Sequence, residues 1–329
     1  MKFGIIGDVH IADNPPSTRK DDFRETVMNK LNFIIDYSNA NQYSALVFVG
    51  DIFHKKIPSY NSHSMISALI RLFERSTAPV YVIAGNHDIY GNLSTLPSQP
   101  LNVLVQSGVV KLLDETGPVL FKSTDGQPIV SLNGHSFSPT LDSKTASAFY
   151  SLEHEDAPIK ISVFHQMLLP DGKQFFDHYI NFEDLKDINC DLVVCGHYHE
   201  GFTPPMVQAH NKYFLNPGAI TRGTAEQSNL NREPKFVELT AYPDGKMTTT
   251  EIPIPFLPAE DVFNFQVIEN NRKKKDMHEF MEGLSEMENQ ALSTQEPTGV
   301  ITVLKAMGMS DHLSEIANKY LQDAYAELA

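Results

Sequence analysis

The chain has 329 residues, of which 41% are hydrophobic, enough for one large α/β domain and a smaller appendage. No apolar run approaches the roughly 18 residues that span a bilayer, and the first residues begin a strand without a signal-peptide pattern, so we expect a cytoplasmic protein. The net charge of −15, from 41 acidic and 26 basic residues, argues against strong unaided binding to nucleic acid, because phosphate neutralisation supplies most of that affinity.

The first hundred residues alternate between short apolar runs and amphipathic stretches. Five elements are predicted in chain order: a strand near 2–7, a helix near 22–40, a strand near 44–49, a helix near 61–75 and a strand near 79–84. This β-α-β-α-β order implies parallel strands joined by right-handed crossovers.

From about residue 103 the pattern changes to short strands with few helices. The predicted strands are 109–113, 118–121, 129–133, 159–164, 190–195, 212–216, 234–240 and 246–252. A second sheet that faces the first is the expected packing, which makes the fold class α/β. Cys190 and Cys195 fall on one of these strands roughly 16 Å apart on opposite faces, so we expect reduced thiols.

A proline-rich segment separates the last predicted strand from the C-terminal region. Pro253, Pro255 and Pro258 predict a stiff, extended linker over 254–262, which bounds a first domain at 1–253. Residues 263–329 then carry two apolar stripes at helical spacing, one of them rich in methionine. The stripes either pack within the protein or bind a partner, and the sequence is compatible with both.

Polar clusters follow five of the predicted strands at the point where each strand ends. The clusters are Asp8-Val9-His10, Gly50-Asp51, Gly85-Asn86-His87-Asp88, His165 and Gly196-His197-Tyr198-His199. Sites in α/β sheets form at the carboxyl ends of strands, so we expect these side chains to meet in one place.

The donor atoms of these clusters are carboxylate and amide oxygens and imidazole nitrogens. Such a set suits manganese, iron or zinc at a hydrolytic site better than a structural zinc. The ligand candidates are too many for one tetrahedral ion: Asp8, His10, Asp51, Asn86, His165, His197 and His199. Two ions about 3.5–4 Å apart, bridged by a carboxylate, fit better, and such a pair activates a bound water and stabilises charge on a phosphoryl group. Asp51 is the candidate for the bridge.

In their order the clusters resemble the pattern D-x-H, G-D, G-N-H-D, H and G-H-x-H of the calcineurin-like metallophosphoesterases. The resemblance implies a two-sheet β-sandwich flanked by helices, here with a small, mostly helical C-terminal extension. It implies that His87 is the catalytic histidine, which serves the leaving oxygen or stabilises transition-state charge, and that Asp88 orients it. It also implies one metal on Asp8, His10 and His199, a second on Asn86, His165 and His197, and Asp51 between them.

Three shorter stretches narrow the resemblance to the SbcD-type nucleases, the catalytic subunits of recombination and double-strand-break repair complexes. They are Gly50-Asp51-Ile52-Phe53-His54, His165-Gln166 and Asn216-Pro217-Gly218, with Ala219 in place of the serine that follows the last of these. The likeness covers about residues 1–253. It implies that His54 lies at the mouth of the site and helps to place DNA, whereas the alternative is a loop histidine that caps the helix starting near Tyr60.

The resemblance also implies partners. The C-terminal region of SbcD-type proteins engages the coiled-coil base of an SbcC-type ATPase, so 263–329 is the expected partner-binding region, and a second copy of the chain is a further candidate partner. This tail is shorter and more helical than the C-terminal DNA-capping region of the larger family members, so we do not expect it to cap DNA by itself. It is similar to compact, phage-encoded versions of the subunit. Basic residues on the predicted active-face loops either contact DNA or are ordinary solvated charges: Arg19, Lys20, Arg24, Lys55, Lys56 and Arg222.

These observations predict a two-metal DNA nuclease, with exonuclease or endonuclease action, that is activated most readily by Mn²⁺. Mg²⁺, Fe²⁺ and Zn²⁺ are alternatives. Two other functions stay open: a stand-alone phosphoesterase for phosphomonoesters or small nucleotides, and a scaffold of the same fold that binds proteins. The filled ligand positions and His87 disfavour the scaffold.

Overall fold

The computed structural model describes residues 1–139, 146, 150–174, 178–223, 227–270 and 273–274, with the backbone alone at 227–228. The chain divides into two compact units, Met1–Asn264 and Phe265–Ala329. In the second unit the described residues, 265–270 and 273–274, are helical. Both apolar stripes predicted in the C-terminal region lie outside the described residues.

Every strand and helix predicted within residues 1–253 is present in the first unit, which also contains strands and short helices that were not predicted. The strands are β1 (Lys2–Ile6), β2 (Ala45–Phe48), β3 (Val80–Val82), β4 (Lys111–Leu112), β5 (Val119–Lys122), β6 (Pro128–His135), β7 (Ile159–His165), β8 (Leu168–Leu169), β9 (Ile180–Asn181), β10 (Leu192–Gly196), β11 (Met206–Ala209), β12 (Lys212–Leu215), β13 (Lys235–Ala241) and β14 (Met247–Pro253). The described α-helices are α1 (Phe23–Ala40), α2 (His63–Phe73), α3 (Pro100–Gln106), α4 (Leu113–Thr116), α5 (Gln227–Asn231) and α6 (Ala259–Val262), and 3₁₀ turns cover Pro58–Tyr60, Leu93–Ser98 and Phe182–Leu185.

Two mixed sheets, each with six strands within the described residues, form a sandwich. The first has the order β14-β13-β1-β2-β3-β4, and the second has the order β11-β12-β10-β7-β6-β5. The strands β1 to β4 run parallel, and so do β6, β7, β10 and β12. The predicted two-sheet α/β fold, flanked by helices, is therefore confirmed.

Successive side chains along a strand point to opposite faces of the sheet, so each sheet contributes side chains to two cores. Phe3 and Ile5 of β1 face Val163 of β7 and Val194 of β10 in the core between the sheets. Ile6, the next residue of β1, belongs instead to the core beneath α1 to α3. Both faces of the central strands are therefore buried, which explains why these strands read as unbroken apolar runs in the sequence.

The two long helices begin at residues that cap them. Asp22 accepts a hydrogen bond from the Glu25 backbone N–H at the start of α1, and Ser62 accepts one from the Met65 N–H at the start of α2. The idea that His54 caps the second helix is wrong, because Ser62 fills that place.

Residues 254–264, most of which were expected to form a linker, pack within the first unit. Val262 and Phe263 are buried, and the Lys20 N–H donates to the Val262 carbonyl at 2.9 Å. The Asn264 N–H donates to the Thr18 carbonyl at 2.8 Å. Burial of Ile254, Val262 and Phe263 holds this segment on the first unit, and its later residues form α6 instead of an extended linker.

None of the helices in the described part of the chain combines the length and the hydropathy needed to cross a bilayer.

Cys190 lies before β10 instead of within it, because a turn closed by its N–H and the Ile188 carbonyl precedes the strand. Both cysteines are buried free thiols. Burial raises the pKa of Cys190 to about 11 and that of Cys195 to about 12.

Candidate metal centre

The carboxyl ends of β1, β2 and β3 in one sheet and of β7 and β10 in the other meet at one edge of the sandwich. There the structure brings together all of the predicted metal ligands: Asp8, His10, Asp51, Asn86, His165, His197 and His199. Parallel strands that end at the same edge deliver these residues although up to 191 positions separate them in the chain.

The first group of donor atoms comes from Asp8, His10, Asp51 and His199, and all of them lie within 4.8 Å of one another. His10 Nε2 is 3.0 Å from His199 Nε2 and 3.6 Å from Asp51 Oδ2. His199 Nε2 is 3.8 Å from Asp8 Oδ1. Two imidazole nitrogens and two carboxylates that converge in this way form a donor set of the kind that hard or borderline divalent ions prefer.

The second group comes from Asp51, His165 and His197, whose donor atoms also lie within 4.8 Å of one another. His165 Nε2 is 3.4 Å from Asp51 Oδ2. Asn86 Oδ1 is 3.1 Å from His165 Nε2 and 2.8 Å from His197 Nδ1. The amide oxygen therefore completes a second set of nitrogen and oxygen donors.

Asp51 belongs to both groups. Its Oδ1 accepts a hydrogen bond from the His87 backbone N–H at 2.8 Å. Its Oδ2 is buried and has no hydrogen-bond partner, although a buried carboxylate oxygen without one is costly. A cation between the two groups would satisfy that oxygen, so the residues present fit two divalent ions with Asp51 shared.

The backbone around the ligands adopts conformations that side chains rarely take. His10, Asp51 and His197 have φ values of 52°, 50° and 75°. Such left-handed residues are costly in ordinary chains and cluster at functional sites, where the surrounding fold enforces them. Gly85 is needed for a different reason, since a Cβ there would lie 2.1 Å from Asp51 Oδ1.

The charge of the centre favours a cation. Burial opposes protonation of His165, but the carboxylates of Asp51 and Asp8 outweigh burial and raise the pKa of His165 to about 9. Burial lowers the pKa of His197 to about 3 and holds the pKa of His10 well below its usual range. His10 and His197 are therefore neutral near pH 7, as metal binding requires, whereas His165 would have to lose a proton before it could bind a metal.

Two features that support the ligands were not predicted from the sequence. His165 Nδ1 donates to the Val49 carbonyl at 2.7 Å, which leaves Nε2 to face the other ligands. The Phe137 ring packs 6.2 Å from the His165 ring and 5.9 Å from the His197 ring. A backbone carbonyl on a facing strand has no signature in the sequence, and Phe137 follows β6 without any recognisable motif.

A sequence profile described as calcineurin-like phosphoesterase matches residues 1–201, which include every ligand of the centre. The chain belongs to this family. Calcineurin-like phosphoesterases are metal-dependent hydrolases of phosphate esters, and the centre described above has the donor set for that chemistry.

The descriptions of two relatives agree with this assignment. YhaO of Bacillus subtilis (strain 168), described as an uncharacterized metallophosphoesterase, is 27% identical over 179 residues, which make up 54% of this chain and 42% of that protein. A probable cyclic nucleotide phosphodiesterase of Coxiella burnetii (strain RSA 493 / Nine Mile phase I) is 24% identical over 210 residues, 62% of this chain and 77% of that protein. The chain thus matches less than half of the length of the Bacillus relative.

A solved structure shares the fold. The crystal structure of a dimetal phosphatase from Danio rerio superposes with a TM-score of 0.50 at 12% identity, covering 77% of this chain and 96% of that chain. At this identity the likeness concerns the fold alone.

In this calcineurin-like phosphoesterase His87 lies beside the ligands. Its Nδ1 donates to the His54 carbonyl at 2.8 Å, and its ring stacks on the His54 ring with centroids 5.6 Å apart. A carbonyl only accepts hydrogen bonds, so Nδ1 carries the proton and Nε2 is the nitrogen left for a substrate. Burial, with His87 and Lys55 nearby, lowers the pKa of His54 to about 4, so that ring is neutral near pH 7.

The structural role of Asp88 differs from the predicted one, which was to orient His87. It is fully buried, and its carboxylate accepts hydrogen bonds at 3.0–3.2 Å from the backbone N–H groups of Ile52, Phe53 and Gly85. Burial, and then the charge of Asp51, raises the pKa of Asp88 to about 7. Asp88 therefore holds the two loops that carry Asp51 and Asn86 together, and the His54 carbonyl, not Asp88, orients His87.

Replacing Asp88 with alanine is expected to lower the free energy of unfolding by about 3 kcal/mol or more, because three buried N–H groups lose their acceptor at about 1–3 kcal/mol each. Asp88→Asn keeps one acceptor oxygen and should cost less. Urea denaturation of both variants beside the wild type measures the difference. Equal stability of Asp88→Ala and the wild type would contradict this role.

The basic residues predicted on the active-face loops are mostly engaged within the protein. Arg19 and Arg222 are buried, so for these two both the DNA-contact and the solvated-charge interpretations are wrong. Arg24 pairs with Asp13 at 2.9 Å, and Lys56 Nζ donates to the Asn86 carbonyl at 3.0 Å. Lys20 and Lys55 are exposed.

Three basic side chains, of which Arg19 and Lys30 are buried and Arg232 is half-buried, hold the loop 219–222 against the metal centre. Arg19 donates to the Arg222 carbonyl, Lys30 to the Ile220 carbonyl and Arg232 to the Thr221 carbonyl, each at 2.6 Å. On the other side of the loop, the Ile220 N–H donates to the Asp8 carbonyl at 3.0 Å. These contacts fix the backbone at one metal ligand.

Lys30 should make stability depend on pH in an unusual range. Burial, and then the charge of Arg19, lowers the pKa of Lys30 from 10.5 to about 7. Between these values the unfolded chain binds a proton that the folded chain does not, so the free energy of unfolding rises with pH, by up to about 1.4 kcal/mol per unit. Below about pH 7 both states are protonated and this contribution is constant.

The variant Lys30→Met removes this titration. The wild type should therefore gain stability relative to Lys30→Met as the pH rises from 7 to about 10. Urea denaturation of both proteins at several pH values tests this, and a constant difference between them would show that Lys30 keeps an ordinary pKa.

Proposed function

We infer that this phosphoesterase cleaves phosphodiester bonds in DNA. The observation that carries this inference is the His54–His87 pair, which lines an open cleft beside a centre built for two metal ions. His54 belongs to the G-D-I-F-H stretch that resembles SbcD-type nucleases. Its neutral ring braces His87 without adding positive charge to the centre, and its place on the cleft wall suits contact with a polymeric substrate.

Two divalent ions, when bound, would supply a Lewis acid at the phosphoryl oxygens and lower the pKa of a bound water. The residues that would hold them are the seven ligands already described. Mn²⁺ is the proposed activating ion. Oxygen and imidazole donors accept Mn²⁺ together with several other divalent metals, and availability selects among them.

His87 acts on the leaving group in this mechanism. Its Nδ1 keeps the proton that it donates to the His54 carbonyl, so in the imidazolium form the second proton, on Nε2, can pass to the leaving oxygen. The same N–H can stabilise negative charge on the phosphoryl group before that transfer. His54 therefore contributes by fixing which nitrogen of His87 reacts.

The proposed setting is an ATPase–nuclease complex in the cytoplasm. An SbcC-type ATPase would bind residues 263–329, and it would supply much of the DNA affinity that a chain of net charge −15 lacks. A chain that ends at Asn264, the end of the first compact unit, should keep hydrolysis of a small diester and lose the ATPase. Retained ATPase binding would contradict the assigned region.

A small nucleotide is the second candidate substrate. The Coxiella relative is described as a probable cyclic nucleotide phosphodiesterase, and it matches 62% of this chain. A cyclic diester would need the metal centre and His87 but neither the cleft wall around His54 nor the C-terminal region.

A comparison of three substrates separates the candidates. The purified protein with Mn²⁺ is given a single-stranded DNA oligonucleotide, 3′,5′-cyclic AMP and p-nitrophenyl phosphate, and kcat/KM is measured for each. The proposal predicts the highest value for the oligonucleotide. A higher value for cyclic AMP would favour the small-nucleotide function, and a higher value for p-nitrophenyl phosphate would favour a phosphatase.

A further inference from the structure

The cleft beside the metal centre has a volume of about 550 Å³ and two kinds of lining. One part of the lining is the imidazoles of His10, His87 and His199. Another part is apolar and comes from Pro15, Pro16 and Tyr60. A substrate whose phosphate sits at the metal ligands therefore places its next group against an apolar wall.

Tyr60 is unusual among the residues of this wall. Its side chain is large and its exposure is 55%, so the folded protein gains little from burying it. The backbone that carries it is nevertheless well held, since Asn61 Nδ2 donates to the Lys55 carbonyl at 2.7 Å and to the Ile57 carbonyl at 2.9 Å. An exposed aromatic ring on a braced turn is preorganised to bind a ligand, because little freedom is lost on binding.

The chemistry of the wall selects the group that it binds. A flat ring with an exposed apolar face and a polar tip is suited to stacking against another flat, polar-edged ring. Lys55 is exposed and also lines the cleft, where it adds a positive charge near the same wall. A nucleobase attached to the scissile phosphate, with a neighbouring phosphate near Lys55, matches both features.

We propose that Tyr60 stacks on the base of the nucleotide that adjoins the scissile phosphate. This inference rests on the proposed function and specifies its substrate class. Bases inside a duplex are already stacked on their neighbours, so the enzyme requires an unpaired nucleotide: single-stranded DNA or a frayed end. Stacking of a base on a protein aromatic ring changes affinity by about five- to hundredfold.

The test uses single-stranded oligonucleotides that are intact or carry one abasic nucleotide on either side of the cleaved bond. Tyr60→Ala should raise KM for the intact oligonucleotide about five- to hundredfold with little change in kcat. Tyr60→Phe keeps the ring and should behave like the wild type. The abasic substrate should be cleaved by the wild type and Tyr60→Ala with similar KM, because it lacks the base that stacks.

The matched control is Tyr242→Ala, since Tyr242 is an exposed tyrosine at the β13–β14 turn with 44% exposure and lies outside the cleft lining. It should leave cleavage unchanged. An equal loss for Tyr60→Ala on intact and abasic substrates, or no loss on either, would overturn the stacking inference alone. A wild type that hydrolyses bis-p-nitrophenyl phosphate but cuts no oligonucleotide would overturn the proposed function as well.

Discussion

Replacing His87 with alanine is expected to lower kcat by about 10²- to 10⁴-fold, the usual contribution of a general acid or base, while both metal ions stay bound. The reason lies in its contacts. The Nδ1 of His87 donates a hydrogen bond to the His54 carbonyl, and its ring lines the cleft. The metal donors nearby, which include Asn86 and His165, remain when His87 is removed. Metal content by mass spectrometry and steady-state hydrolysis of bis-p-nitrophenyl phosphate measure the two effects separately.

His210→Ala is the matched control for this variant, because His210 pairs with Asp171 at 2.6 Å and belongs to none of the groups that could hold a metal. It should change neither quantity. Loss of metal together with activity in His87→Ala would mean that His87 is a ligand and not the catalytic group.

Replacing Asp51 with asparagine is expected to empty at least one of the two metal positions. Asparagine keeps the size of the side chain and an oxygen that can accept from the His87 N–H, so the fold has no steric reason to change. It loses the negative charge that both donor groups share. Loss of a partner outside the ligand set already costs about 10- to 100-fold in metal affinity, so loss of a shared ligand should cost at least about 100-fold.

The control for Asp51→Asn is Asp36→Asn on α1, where the side chain is 61% exposed. Metal content after dialysis and thermal unfolding with and without Mn²⁺ give the comparison. An Asp51→Asn protein that retains both ions at the wild-type affinity would refute the shared role.

The position of the site was predictable because short apolar runs in the sequence show where each strand lies and at which residue it ends. Asp8 follows an apolar run that forms β1, and His165 ends the run that forms β7. Once both runs are strands of parallel sheets, the side chains at their carboxyl ends must meet at one edge. The apolar spacing in the sequence predicted α1 to within one residue at each end and α2 to within two residues at each end.

The features that the sequence did not predict depend on contacts between distant segments. The partner of His87 is a backbone carbonyl, and any residue at position 54 would present one. Asp88 appeared to serve its neighbour in the sequence, whereas its carboxylate reaches the backbone of 52 and 53 on another loop. Arginine is usually a surface residue, so nothing in the sequence indicated that Arg19 and Arg222 are buried. Their burial depends on backbone carbonyls from distant segments, which accept their hydrogen bonds.

Reconstitution with metal tests most directly whether this chain uses two metal ions to cleave DNA, as proposed. Metal-depleted protein is titrated with Mn²⁺ while bound metal and cleavage of an end-labelled single-stranded oligonucleotide are followed together. We predict that cleavage appears as the second ion binds and reaches its maximum at two ions per chain. Full cleavage with one ion bound, or no cleavage with two ions bound, would contradict the claim.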